Sequence, residues 1–292
     1  MNVVLITDEQ AEIRNGNLMD FSMIREIDCR LPFRNFSIKY VAKGTEMYRI
    51  NNTGYVLNQG DYLLANQHAE GSVRIDSREE VFGICINLSL ALLAEVAGDL
   101  QRPGVPADEL PIETFFSSEA FLENQYAAAD TALGSLLTGL GQSFHHHAER
   151  PKQFSKAFYY SLAERLIEDH RPIVAALRRV PSVKHATRKD LFKRLQSGKA
   201  FMDAHFAEIP DIASVARFSG LSEYHFFRLF RATYAESPYQ YLLKKRLAHA
   251  LELIQKGAMS LTDIALETGF SDIHAFSKCY KKHLGRAPSA DR

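Results

Sequence analysis

IASVARFSGLSEYHFFRLFR, residues 212–231, and LTDIALETGFSDIHAFSKCYKK, residues 261–282, are two copies of one pattern. Val215-Ala216 and Gly220-Leu221-Ser222 return as Ile264-Ala265 and Gly269-Phe270-Ser271 at an offset of 49. One extra residue then enters. Phe226, Arg228, Phe230 and Arg231 match Phe276, Lys278, Tyr280 and Lys281 at an offset of 50, and Pro238 and Pro288 keep that second offset. Each copy predicts a short helix bearing a small Ala where a second helix packs closely. A Gly follows at the turn, where positive φ costs little. Ser222 in the first copy, and either Ser271 or Asp272 in the second, can cap the next helix. This is the plan of a helix-turn-helix, whose second helix enters the major groove of DNA. A helical hairpin in an all-α core can imitate one copy; the duplication argues for DNA.

Helical spacing separates core from groove in both second helices. Phe226, Leu229 and Phe230 form one apolar face, leaving Tyr224, Phe227, Arg228 and Arg231 on the other at i, i+3, i+4 and i+7. In the second copy Phe276, Cys279 and Tyr280 point inward, and His274, Ser277, Lys278 and Lys281 outward. Arg228 can donate two hydrogen bonds to a guanine edge, whereas Lys278 offers a point charge without the planar fork. Tyr224 and Phe227 can pack on thymine methyls, although Phe227 fits a contact with the other domain equally well. Arg231 and Lys281, a turn further on, suit phosphates, as do the turn residues Ser222 and Ser271. Between the copies, Ser237-Pro238 starts a helix that runs to Gly257 with Leu243, Leu247, Ala250, Leu251 and Ile254 on one stripe. About twenty helical residues span roughly 30 Å, close to the roughly 34 Å between successive major-groove faces of DNA.

These residues carry a resemblance. The segment from about Lys189 to Arg292 resembles the DNA-binding domain of AraC/XylS-family transcription regulators, two helix-turn-helix units joined by a long helix. The landmarks are AFMDAHF ahead of the first unit, SGLSEYHFFRLFR, SPYQYLLKKRLAHALELI, and DIALETGFSDIHAFSKCYKKHLGRAP. By position, the resemblance implies base contacts from Tyr224, Phe227 and Arg228, and from His274, Ser277 and Lys278. Two residues depart from the family pattern. Ala235 stands where a turn Gly is usual, with Gly285 in the matching place of the second copy. Asp291 precedes Arg292 where the family often has an aromatic residue.

At 292 residues the chain is long enough for two domains with separate cores. Its net charge is zero, but from His185 onward 17 Lys and Arg oppose 11 Asp and Glu, against 18 and 24 in the remainder. The basic half suits phosphate. Cys29, Cys85 and Cys279 lack metal-ligand spacing and read as buried, reduced thiols. MNVVLITDEQ has no basic start or long apolar run, and no segment approaches the roughly 20 apolar residues that span a membrane. A bacterial cytoplasmic location is expected.

Residues 36–88 alternate as strands: FSIKYVA, KGTEMYRI, the turn Asn51-Asn52-Thr53-Gly54, YVL, Asn58-Gln59-Gly60, DYLLA and VFGICINL. Short strands at this spacing suggest an antiparallel sandwich or barrel. YRINNTGYVLNQGDYLLAN resembles the cupin-like effector domain common in the same family. Many cupins hold a metal through clustered His and Glu, but His68 is the only histidine before His145, so no such metal site is expected. The rings of the run His145-His146-His147 point apart on regular backbone and rarely converge on one ion, so a solvated loop or helix end is expected there. The interior either holds a small ligand or is a filled core. Helical residues 152 to about 180 carry Phe154, Phe158, Leu162, Leu166 and Ile167, a stripe for their own domain or for a second subunit.

The expected architecture is α+β in two domains. Residues 1–180 form a cupin-like antiparallel β barrel with flanking helices for sensing or dimerisation, residues 181–189 a linker, and residues 190–292 the all-α double helix-turn-helix domain. The expected function is sequence-specific transcription regulation with no catalytic residue, metal or cofactor. The expected partners are double-stranded promoter DNA, a small-molecule effector, RNA polymerase and a second copy of the chain. The alternative is a cupin-type enzyme fused to an autoregulatory DNA-binding domain.

Overall fold

Alternation at residues 36–88 becomes a seven-stranded antiparallel sheet curled into a near-closed barrel. The computed structural model describes residues 16–33, 35–100, 112–119, 121–145, 154–181, 185–209 and 211–292. The strands are β1 (Leu18–Pro32), β2 (Phe36–Lys43), β3 (Thr45–Ile50), β4 (Thr53–Asn58), β5 (Asp61–Ala65), β6 (Glu70–Leu88) and β7 (Asn124–Ala127). β6 is the spine. Its first half pairs with β3, its second half with β2, and β1 runs along both. Register shifts at Ile24/Glu26 and Val41/Lys43 bend these long strands and help the sheet to curl. Asn51 and Asn52, at φ 47 and 66, make the two-residue β3–β4 turn, which demands positive φ at both positions. Side chains draw β4 to β7 where ladder bonds stop: Gln125 donates to the Val56 carbonyl at 2.9 Å, and Tyr55 to the Glu123 carbonyl at 3.1 Å.

The sheet has two unlike faces. Phe36, Ile38, Tyr40, Phe82, Ile84 and Ile86 point outward and are nonetheless buried. The covering elements are α1 (Leu90–Asp99), α2 (Ile112–Ser117), α3 (Ala132–His145) and α4 (Lys156–Arg179), with Phe116 edge-on to Phe36 and Phe144 tilted against Phe21. The inward face holds a second cluster that includes Val41, Ile50, Leu57, Leu63, Val73, Ile75 and Val81. Two strands escaped the sequence reading. β1 mixes charge with apolar residues (Arg25, Glu26, Asp28, Arg30), and the first half of β6 carries Arg74 and Asp76 on its exposed side.

The apolar stripe of α4 is used inside its own unit. Leu162, Leu166 and Ile167 are fully buried, and the Phe154 ring lies 4.7 Å from Phe158 and 6.4 Å from Phe21. Asp169 accepts from the Ala132 and Leu133 amides, capping α3 from another helix. The next residue, His170, is buried between Phe116, Phe121 and Tyr126, with Nδ1 2.8 Å from the Leu166 carbonyl. Burial pushes the imidazole down to about 4, against the opposing pull of Leu166 and Asp169. Between the ordinary value of 6.5 and about 4, the unfolded chain takes up a proton that the folded one refuses. Stability of this unit is therefore expected to fall as pH drops through that window. His170→Leu should flatten the melting midpoint across the same range.

The chain divides into two compact units, residues 1–174 and 175–292. The division falls inside α4, just past Pro172, and the buried Leu177 continues the apolar spacing of the helix beyond it. The stretch 181–189 expected as a linker is helical from His185. The three cysteines form no disulfide and are half-buried, not fully buried as expected. His146 and His147 lie outside the described residues.

The second unit is all helical: α5 (His185–His205), α6 (Ile212–Phe218), α7 (Glu223–Tyr234), α8 (Pro238–Lys256), α9 (Leu261–Glu267), α10 (Ile273–Leu284) and a closing 3-10 turn, Pro288–Asp291. α8 starts with a full capping box, Ser237 and Gln240 satisfying each other's backbone amides. Its stripe of Leu247, Ala250 and Ile254 packs with Ile264, Ala265, Phe276 and Tyr280.

Candidate nucleic-acid interface

The two repeats fold into two copies of the same hydrogen-bonded turn. α6 ends with Gly220 at φ 65; the Leu221 amide reaches back to the Ala216 carbonyl and the Gly220 amide to Arg217, at 2.9 and 3.0 Å. α9 ends with Gly269 at φ 82, the Phe270 amide on Ala265 and the Gly269 amide on Leu266 at the same distances. These are paired Schellman turns, so the repeated Ala and Gly mark the third-last helical position and the left-handed residue. Ser222 then caps α7, accepting from the His225 amide. In the second copy Asp272 is the cap, accepting from Ala275 at 2.7 Å, while the Ser271 hydroxyl donates to Asp272. Those two hydrogen bonds, led by the Ala275 amide, hold the Asp272 carboxyl below its ordinary value. Ser271 is thus the inserted residue that changes the repeat offset from 49 to 50.

Both second helices consequently start one residue past their caps and present equivalent positions. Phe226, Leu229 and Phe230 in α7, and Phe276 and Tyr280 in α10, are buried. Tyr224 is 76% exposed, and Arg228, Arg231, His274, Lys278 and Lys281 are exposed. Phe227 and Ser277 occupy the same helical position and are half-buried, as is Cys279. Ser222 and Ser271 lie exposed at the turns.

The scaffold that fixes these helices was only partly visible in sequence. Asp203, in the AFMDAHF segment of α5, accepts from Tyr241, Lys245 and Lys199. Burial alone would raise its carboxyl, and the three donors together bring it below the ordinary value. Arg246 of α8 donates to the Phe206 and Ile209 carbonyls, both at 2.8 Å. Gly269 meets the same segment, a Cβ there falling 2.4 Å from the Ala207 oxygen. Tyr241 and Lys245 are four apart on α8, as are Lys199 and Asp203 on α5, the one signal that could have paired them.

Both departures from the family pattern are accommodated. Asp291 accepts from the Tyr280 hydroxyl at 2.8 Å and from two guanidinium nitrogens of Arg286, and the hydrogen bond from Tyr280, then Arg286, keeps its carboxyl low. A polar clamp thereby anchors the last turn. Ala235 closes α7 at φ 60, where Gly285 closes α10 at φ 77. That conformation costs an L-residue about 1–2 kcal/mol, part of which Gly loses again to unfolded-chain entropy. Ala235→Gly is expected to stabilise the helical unit by about 0.5–1 kcal/mol, read from its urea midpoint.

Paired helix-turn-helix units on one helical scaffold, with a ligand-domain-like β barrel in the other unit, define the class of this protein. A helix-turn-helix domain family matches residues 215–292, and the AraC-like ligand binding domain family matches residues 32–153. The chain belongs to the AraC family. The HTH-type transcriptional regulator ExsA of Pseudomonas aeruginosa is 27% identical over 143 residues, 45% of this chain and 51% of that protein. The HTH-type transcriptional regulator GbdR of the same species is 34% identical over 99 residues, 34% of this chain and 27% of that protein. The uncharacterized HTH-type transcriptional regulator YbfI of Bacillus subtilis is 25% identical over 238 residues, 81% of this chain and 77% of that protein. The chain thus spans about half the length of the first relative and about a quarter of the second. No helix among the described residues is long and apolar enough to cross a membrane.

Proposed function

We propose that this protein is a sequence-specific transcriptional regulator of the bacterial cytoplasm, controlled by a small-molecule effector through its N-terminal domain. The observation that carries the reading is the matched presentation of Tyr224, Arg228 and Arg231 on α7 and His274, Lys278 and Lys281 on α10. Arg228 reads guanine through two hydrogen bonds, Lys278 adds a less selective contact, and Tyr224 packs on thymine methyls. His274, Ser277 and Phe227 complete the base-facing set, the last two from half-buried positions suited to close approach. Arg231, Lys281, Ser222 and Ser271 hold phosphates and set register. α8 has 19 residues, about 28 Å of helix, which supports seating both units in successive major grooves of promoter DNA with slight bending. Effector binding shifts the arrangement of domains or of two paired copies, and with it DNA occupancy or contact with RNA polymerase.

Selection of genomic fragments by the purified full-length protein, followed by salt-titrated affinity on the best site, tests this reading. The expected result is a site with two short motifs one helical turn apart, bound about 10³-fold or more tighter than random DNA. Uniform binding that disappears with modest salt, with and without candidate metabolites, would mean phosphate attraction alone.

A further inference from the structure

The barrel interior is apolar except along the inward faces of β1, β2, β3 and β6, where charged and polar side chains converge. Lys39 and Cys85 are partners across the β2–β6 ladder, and Lys39 Nζ lies 2.6 Å from Cys85 Sγ. Besides this thiol, a weak acceptor, and the Phe33 ring 5.8 Å away, the ammonium acts on the Glu46 carboxyl through space, drawing it down against the larger effect of burial. Glu46 enters from β3, only 4% exposed, and accepts from the Tyr48 hydroxyl at 2.5 Å. Gly83 faces it on β6: a Cβ there would fall 2.4 Å from Glu46 Oε1 and 2.7 Å from Ser22 Oγ, so the absent side chain lets carboxyl and hydroxyl approach one place.

This side of the sheet is also open. Ser22, Lys39 and Cys85 are only half-buried there, whereas Phe82, Ile84 and Ile86 on the opposite face of β6 are buried. An inward-facing cation with spare donor capacity, beside a buried carboxyl with which it makes no ion pair among the described residues, calls for a ligand that supplies an anion to one and a donor to the other. A neutral sugar would leave the Lys39 charge unmatched. A phosphate dianion would place its second charge near Glu46 and near Asp20, the β1 partner of Cys85.

We infer that the barrel binds a small monocarboxylic acid bearing a hydroxyl or ammonium group, its carboxylate on Lys39 and its donor on Glu46. The carbon chain lies toward Val41 and Val81 of the apolar cluster. The inference rests on the reading of this unit as the effector domain and names the class of effector.

Calorimetric titration of the full-length protein with lactate, 2-hydroxyisovalerate, valine and leucine, each beside its uncharged amide, provides the test. At least one acid should bind, and its amide about tenfold more weakly or worse, the loss expected for one charged hydrogen-bonded pair. Lys39→Met should abolish the preference for acid, Lys39→Arg should keep part of it, and Glu46→Gln should weaken the acid about tenfold. Melting midpoints and circular dichroism on each variant establish that it is folded. Amides binding as well as acids, unchanged acid affinity in folded Lys39→Met, or no binding by any acid of the set would overturn the inference. DNA affinity measured on the same samples separates the two readings. Acid binding in a protein that selects no DNA site sinks the regulator and leaves the ligand class standing; site-selective DNA binding without acid binding does the reverse.

Discussion

Arg228→Ala combined with Lys278→Ala is expected to weaken binding to the best DNA site by about 4 kcal/mol, roughly a thousandfold, while leaving random duplex nearly unaffected. Each base-edge contact carries about 1–3 kcal/mol, and the two sit on separate recognition helices, so their losses should add. The single variants should relax preference at different positions of the site, Arg228→Ala more sharply, because the planar fork discriminates where an ammonium does not. Arg231→Ala and Lys281→Ala are the control pair. They should weaken all sequences alike and each reduce the salt slope by about one. Affinities on cognate and scrambled duplexes at several salt concentrations separate these outcomes. A uniform loss from Arg228→Ala would remove that residue from the base-reading set.

Gly269→Ala should destabilise the helical unit by about 3 kcal/mol or more, whereas Gly220→Ala should cost about 1 kcal/mol. Both residues have positive φ, 82 and 65, so the conformational penalty is shared. Their surroundings are not alike. At 269 the new Cβ would meet the Ala207 oxygen at 2.4 Å and its carbonyl carbon at 3.0 Å, backbone atoms that move only with the α5–α6 connection. At 220 the nearest atom is Arg194 Nη1 at 3.0 Å, the end of a flexible side chain. The chain has no tryptophan, so urea unfolding followed by helical circular dichroism is the suitable readout. Equal losses at the two glycines would mean that the Ala207 contact yields freely.

The helical unit was more legible than the barrel. Repetition exposed its turns, because an Ala, a Gly and a cap at fixed spacing carry the Schellman geometry, and the buried faces of α7 and α10 followed from 3.6-residue periodicity. The cap of α10 stayed ambiguous between Ser271 and Asp272, since either side chain can accept from an amide; the backbone decides for Asp272. In the barrel, β2 to β5 declared themselves through alternation and turns, whereas β1 and the first half of β6 hid behind charged outer faces. The polar pole of the interior was illegible. Lys39 and Glu46 look like ordinary surface charges until pairing with β6 turns both inward. The same holds for the Asp203 cluster, whose donors lie up to 42 positions away in the chain.

The contacts that Arg246 and Gly269 make with the short segment between α5 and α6 have a consequence for the genome. They brace the long connecting helix and the second turn against the first half of the same unit. A reader braced in this way works with one gap length. Inserting a single base pair between its two half-sites would rotate the second by roughly 35° and carry it about 3.4 Å along the axis, and nothing in the braced scaffold takes up that error. On the proposed function, DNA sites for this protein are expected to be bipartite words of constant spacing, and sites that differ only by an indel in the gap are expected to lose affinity.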